Sequence, residues 1–287
     1  MSKIFFSLIF FVIASFSILL LPAASAAIPP LRYNEKEEVG SPSLSTTMRE
    51  SAIKFLNKKA VTVPIILYHH IRPITPTMEP LARGLSVTPD VFDQQLEYFE
   101  KNGYATITLE QMYEALKEGK KIVPRTIIFS FDDGYADNYQ YAFPILQKHH
   151  FGGILFLITN AVGTPDYLSW DQIKEMKKSD VFEIGSHTLN HPVLPALSMG
   201  KMQKEVRESK KVLEEHIGAP VDFFCYPYGK YTKEIILAVK DAGYKGAVTT
   251  HYGTTHTFAS LFETSRVRLT NDDVAQTIEK KVKLFLK

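Results

Sequence analysis

Asp132 and Asp133 stand side by side at the end of an apolar run, Phe129-Ser130-Phe131-Asp132-Asp133-Gly134. Two carboxylates there are costly to bury unless they are paired, protonated or bound to a metal ion. Neighbouring side chains on an extended chain point to opposite sides, so one aspartate can ligate a metal while the other stays free as a base. Gly134 permits a sharp exit. Read alone, Asp-Asp-Gly is equally a surface turn. Further on, Gly185-Ser186-His187-Thr188-Leu189-Asn190-His191-Pro192 places two imidazoles at one-turn spacing, so His187 and His191 can reach the same ion. Two histidines and one carboxylate form a catalytic zinc set with positions left for water and substrate. The histidine pair alone would also suit simple packing. With Asp133 available from another strand end, Asp133, His187 and His191 become the candidate metal ligands.

Two further polar clusters end apolar runs. Phe223-Phe224-Cys225-Tyr226-Pro227-Tyr228-Gly229 leads a strand into a loop fixed by Pro227 and Gly229, whose backbone N–H groups could face a reacting oxyanion. Its tyrosines could wall a sugar groove, although an ordinary aromatic turn would read the same. Ile65-Ile66-Leu67-Tyr68-His69-His70 ends in two histidines, one of which could protonate a leaving group. The single tryptophan, Trp170, reads either as core packing at the start of a helix or as the lining of an apolar acyl pocket.

The elements that must hold these groups alternate. Apolar β-rich runs at Val61–Tyr68, Tyr104–Thr108, Thr126–Phe131, Gly153–Ile158, Val181–Ser186, Val221–Tyr226 and Gly246–Thr250 are separated by helical patterns over 89–102, 109–119, 137–150, 170–178, 198–217, 232–242 and 272–286. Thr88 before Pro89, with Gly103 beyond the last turn, punctuates the first helix, and Gly119 ends the second. Continuously apolar strands alternating with helices imply a parallel sheet covered on both faces. About seven such units predict an α/β fold: a distorted (β/α) barrel in a single catalytic domain, with a doubly wound open sheet as runner-up. No GxGxxG follows the first strand, so a dinucleotide site lacks support. All four clusters fall at C-terminal strand ends, the face on which β/α barrels gather catalytic groups.

The chain ahead of the barrel differs in kind. Residues 1–26 read as a secretory signal peptide, with Lys3, an apolar run from Ile4 to Leu21, Pro22 and an Ala-Ser-Ala cleavage site. The 18-residue run is just long enough to serve instead as an uncleaved anchor. Residues 27–60 are polar and Pro/Ser/Thr-rich, a linker or wall-proximal arm with weak periodicity only over Met48–Leu56. The catalytic domain is expected over 61–287. Of the 287 residues, 33 are Lys or Arg and 31 Asp or Glu, a net charge of +2 that excludes the broad basic field of a nucleic-acid binder. One cysteine, Cys225, excludes an intramolecular disulfide and a Cys-rich zinc site.

FSFDDG, SHTLNH and YPYG, in that order, resemble the motifs of the polysaccharide deacetylases of carbohydrate esterase family 4, over about 61–270. The resemblance implies a metal-dependent N-deacetylation of acetylated amino sugars. It makes Asp132 the general base, Asp133, His187 and His191 the ligands of a divalent metal (zinc, or else cobalt or nickel), and the Tyr228 backbone N–H the oxyanion donor beside Pro227. It matches Trp170 to the tryptophan of the acetyl pocket. The family's LxH element is absent after Tyr228 but occurs first, as Leu67-Tyr68-His69, which resembles the branch acting on exported poly-N-acetylglucosamine and makes His69 the acid. Cys225 departs from the pattern: it stands where the family has the arginine that orients the base, and Arg266 and Arg268 are the candidate substitutes. The expected partner is an N-acetylated glycan polymer such as poly-N-acetylglucosamine, peptidoglycan or chitin, met outside the cell by a secreted protein with no membrane span after cleavage. The competing readings are a wall-associated carbohydrate-binding protein with a decayed site and a hydrolase of non-sugar amides on the same scaffold.

Overall fold

The computed structural model describes residues 60–283. The expected leader, the polar arm up to residue 59 and the stretch Met48–Leu56 lie outside the described residues.

Seven parallel strands close into a barrel in sequential order: β1 (Ile65–Tyr68), β2 (Thr126–Asp133), β3 (Gly153–Leu157), β4 (Phe182–Ser186), β5 (Phe223–Cys225), β6 (Gly246–Tyr252) and β7 (Thr264–Arg268). Closure comes from β1, which pairs with β7 through Ile66↔Val267 and with β2 through Ile65↔Ile128. The count of seven matches the expectation, but the membership does not. The run Tyr104–Thr108 forms only a two-residue strand, Ala105–Thr106, beside the start of β2. The seventh place belongs to β7, whose sequence Thr-Ser-Arg-Val-Arg carries no apolar run.

Strand alternation sorts the side chains into two layers. Ile65, Ile128, Ile154, Phe156, Phe223, Cys225 and Val248 form one buried cluster, joined by Leu109, Met112 and Leu116 from the helix Leu109–Glu118. The intervening residues, among them Ile66, Phe129, Phe131, Leu155 and Phe224, pack with residues of the surrounding helices, including Phe92 and Phe99 of Pro89–Lys101 and Met202, Val206 and Leu213 of Met199–Ile217. Each such buried aliphatic or phenyl side chain contributes about 1.5–3 kcal/mol. All eight residues of β2 are buried, both aspartates included.

Helix boundaries follow the local chemistry. Thr88 accepts from the Val91 N–H at the start of Pro89–Lys101. Thr108 and Gln111 form a reciprocal capping box on Leu109–Glu118, and Gly119 ends that helix in the left-handed conformation at φ 66°. The helix expected over 137–150 divides. It opens as a π-turn over Asn138–Ala142 and becomes α-helical over Phe143–Lys148, because Pro144 has no N–H to return to the preceding turn.

Candidate active site

The cleft lies at the C-terminal ends of the barrel strands. It encloses about 700 Å³ and is lined by His69, Asp132, Asp133, His187, His191 and Tyr228, among others. Two tight turns shape it. Gly134 leaves β2 at φ 82°, where a Cβ would lie 2.7 Å from Leu157 Cδ2; Gly229 sits at φ 68°, where a Cβ would lie 2.0 Å from Thr250 Oγ1. Neither position admits a side chain without displacing its neighbour.

Asp133, His187 and His191 converge. The Nε2 atoms of His187 and His191 lie 3.5 Å and 3.6 Å from Asp133 Oδ1. That oxygen is buried and has no hydrogen-bond partner among the described residues. An orphaned carboxylate oxygen facing two imidazole nitrogens is what a bound cation would satisfy. His187 is pre-oriented, since its Nδ1 lies 2.7 Å from the Cys225 carbonyl and donates to it, leaving the Nε2 lone pair aimed at Asp133. Burial lowers the pKa of both histidines and so favours the neutral, lone-pair-bearing rings. The donor set therefore fits a divalent metal. A second trio, Asp132, His187 and Cys225, also brings potential ligand atoms together. It fits poorly, because both Asp132 oxygens are engaged by Arg266 and burial pushes the Cys225 thiol well up, away from the thiolate that binds metals.

Asp132 is held in a different way. Arg266, on β7 and only 1% exposed, donates Nη1 to Oδ1 and Nη2 to Oδ2, both at 2.7 Å. The guanidinium is itself fixed by Nη1 on Ser130 Oγ at 3.1 Å, Nε on the Thr249 carbonyl at 2.9 Å and Nη2 on Cys225 Sγ at 3.3 Å. Burial alone would raise the Asp132 carboxyl, but the charge and hydrogen bonds of Arg266 outweigh it and hold the group well below the usual carboxylate range. The cation missing at Cys225 thus arrives from another strand. Arg268 does not share the role; it is exposed and donates to the Gly84 carbonyl.

His69 lies in the cleft, and burial lowers its pKa to about 4. The backbone behind it is fastened to the aspartate motif: Asn138 Nδ2 donates to the His69 carbonyl at 3.1 Å, and Asp137 accepts from the Ile71 N–H at 3.1 Å. His70 faces away, its Nδ1 2.6 Å from Asp137 and its ring stacked on Tyr135 at 3.5 Å.

The remaining expected site residues divide. Tyr228 lines the cleft in a left-handed turn at φ 58°, its ring 4.5 Å from that of His191. Pro227 is buried beneath the same turn, where its ring fixes the loop, and it is absent from the cleft lining. Trp170 is also outside the lining. It opens the helix Trp170–Lys178 and stacks on His216 at 3.9 Å, the packing alternative of the two sequence readings. The sequence offered no signal for Tyr135 and Tyr167, paired at 5.1 Å, or for Asn160 and Asn190, joined at 2.8 Å, all of which line the cleft.

Comparison with known proteins agrees with this geometry. Residues 119–247 match the domain family described as polysaccharide deacetylase. The chain is 31% identical over 212 residues to the polysaccharide-deacetylase-type protein YxkH of Bacillus subtilis, covering 74% of this chain and 73% of that one. It is 25% identical over 226 residues to the poly-beta-1,6-N-acetyl-D-glucosamine N-deacetylase of Staphylococcus epidermidis, covering 71% and 78%. Among solved structures, the Streptococcus pyogenes deacetylase PplD, determined in complex with acetate, superposes with a TM-score of 0.72 at 30% identity, over 77% of this chain and 98% of that one. IcaB from Ammonifex degensii shares the fold, with a TM-score of 0.69 at 24% identity, over 78% and 97%. With its motifs assembled on one barrel face and this level of identity, the chain belongs to the polysaccharide deacetylases, enzymes of carbohydrate esterase family 4.

Proposed function

We propose that the protein is a metal-dependent deacetylase that hydrolyses the N-acetyl amides of an N-acetylglucosamine polymer, with poly-β-1,6-linked glucosamine the first candidate and peptidoglycan and chitin next. The observation that carries this reading is the pairing of two carboxylates with opposite fates: Asp132 clamped by an arginine, and Asp133 turned with a bare oxygen toward two histidines.

Asp133, His187 and His191 would hold the ion, zinc before cobalt or nickel, which supplies Lewis acidity to the amide carbonyl and lowers the pKa of water. Asp132, kept ionised and fixed by Arg266, accepts the proton of the attacking water as the new C–O bond forms. The backbone N–H of Tyr228 faces the developing oxyanion. The proton gained at Asp132 is passed through His69 to the sugar nitrogen, the C–N bond breaks, and acetate and a free amine leave. Burial makes His69 a poor holder of that proton and so a ready donor. Apart from Asp132 and Asp133, the lining carries no acid, Lys or Arg among the described residues, which suits an uncharged acetylated chain. Export by the leader over 1–26 would place the enzyme with such polymers; among the described residues no helix is long and apolar enough to cross a membrane.

The test is acetate release from acetylated β-1,6-glucosamine oligomers, chitooligosaccharides and peptidoglycan by zinc-loaded protein. Release from one or more supports the reading and ranks the substrates. No release from any of them overturns it.

A further inference from the structure

The loop that carries both histidines is strained and needs support from outside itself. Thr188 and His191 adopt left-handed backbone at φ 69° and φ 56°, although neither is glycine. Such conformations persist only where the surroundings over-determine them. Within the loop, Thr188 Oγ1 accepts from the His191 N–H at 2.9 Å. The Thr188 and Leu189 carbonyls accept from the Thr159 and Asn160 N–H groups at 3.1 Å and 2.9 Å, and Asn160 Nδ2 donates to Asn190 Oδ1 at 2.8 Å. The remaining backbone amides of the turn are held from one face of the helix Met199–Ile217. Glu205 Oε2 accepts the backbone N–H groups of Leu189 and Asn190, both at 3.0 Å, and its Oε1 accepts Asn190 Nδ2 at 2.7 Å. One turn further along, Ser209 Oγ meets Ser186 Oγ at 2.8 Å, just ahead of His187. Residues four apart share a helix face, so Ser209 grips the chain before the first histidine and Glu205 grips it before the second. The helix is itself anchored by buried Met202, Val206 and Leu213.

We infer that Glu205 is a positioning residue for metal binding: its carboxylate fixes the 189–190 peptides and thereby the direction in which His191 presents Nε2 to Asp133. Glu205 touches neither the cleft nor the three candidate ligands, so it acts only through the loop. The inference rests on the metal reading above. Without the clasp the two backbone amides must find water, the left-handed turn relaxes and the third ligand loses its aim. Hydrogen-bonded supports behind metal ligands weaken binding about 10- to 100-fold when removed.

The experiment is zinc affinity by chelator competition on the full chain, for wild type, Glu205→Ala, Glu205→Gln, His191→Ala and the double variant Glu205→Ala/His191→Ala, with thermal unfolding of each metal-free protein. Glu205→Ala should bind zinc about 10- to 100-fold more weakly. Glu205→Gln keeps an oxygen able to accept from both amides but sets its NH2 against the Asn190 Nδ2 donor, and should bind zinc more tightly than the alanine variant and more weakly than wild type. In the His191→Ala background, Glu205→Ala should add less than about twofold, since its route to the metal is gone. Unchanged zinc affinity in Glu205→Ala overturns the inference. So does an undiminished loss in the His191→Ala background, which would mark a general structural effect, and so does a Glu205→Gln variant as weak as the alanine. Failure of the wild type to take up zinc, cobalt or nickel would instead overturn the metal reading on which the inference stands.

Discussion

Replacing Arg266 with methionine tests whether the base depends on its clamp. The substitution keeps a long apolar stem over the Phe156 ring, which the guanidinium carbon now overlies at 5.8 Å. It removes two charge-assisted hydrogen bonds of 2.7 Å and leaves Asp132, 2% exposed, as an uncompensated buried charge. Breaking a buried pair in this way costs about 3–5 kcal/mol. For a domain of this size that lowers Tm by about 6–20 °C without abolishing folding, since total stability is of the order of 5–15 kcal/mol. Arg266 does not line the cleft, so substrate affinity should hold while Asp132 loses its aim. A misplacement on the scale of 1 Å costs about 100-fold in turnover. The expected result at 25 °C, with circular dichroism confirming the folded state, is kcat down about 100-fold and KM within about threefold. Arg266→Lys, with the charge but not the two-pronged geometry, should fall between. A double-mutant cycle with Asp132→Asn separates the pair from its parts: the double variant should be more stable than the sum of the single losses, because neither charge remains stranded. Turnover within fivefold of wild type in Arg266→Met would refute the argument, as would strict additivity in the cycle.

Three other outcomes follow from the same geometry. His187→Ala should lose bound metal and acetate release together, whereas Asp132→Asn should retain metal by elemental analysis and lose most activity; metal loss in Asp132→Asn would invert the two carboxylate roles. His69→Ala should keep its metal and slow release most for substrates with poorly leaving amines, and near-normal rates would move the acid elsewhere. His256, 1% exposed with Nε2 donating to the Val63 carbonyl at 2.9 Å, has its pKa lowered by burial from 6.5 to about 4. At this site the unfolded chain therefore takes a proton below pH 6.5 that the folded chain refuses down to about 4, so His256 contributes a fall in stability of about 3 kcal/mol across that window. His69, also lowered to about 4, adds to the fall, and urea titrations of His256→Gln should show a shallower decline than wild type.

How far the site could be read from the sequence depends on how local its chemistry is. Asp132 and Asp133 are neighbours on one strand, and His187 and His191 share one short loop. Residue type and spacing therefore made Asp133, His187 and His191 the candidate metal set, the family resemblance made Asp132 the candidate base, and the strands beneath them announced themselves by apolar runs. Trp170 was ambiguous for the opposite reason. Its ring could turn toward the cleft or toward a neighbouring helix, and the partner it stacks on, His216 of the helix Met199–Ile217, lies 46 residues away in the chain. The strand β7 was illegible because of the work it does. A barrel strand is apolar where it packs outward, as Val267 does, but its inward residue is Arg266, so Thr-Ser-Arg-Val-Arg shows no run to find.

The break at Cys225 follows from the same fact. Ionised Asp132 inside the barrel needs a cation at hydrogen-bond distance, and that requirement names a place in space rather than a position in a motif. Arg266 meets it from a strand 134 residues away in the chain, with Nη2 also 3.3 Å from Cys225 Sγ. Cys225 is fully buried. An arginine there would have to occupy the volume that the Arg266 guanidinium already fills and would set two cations against one carboxylate. A small, uncharged side chain at 225 and an arginine at 266 are therefore one solution. Cys225→Ala should leave the clamp and turnover nearly intact, whereas restoring the family's residue with Cys225→Arg should destabilise the fold unless Arg266 is removed with it.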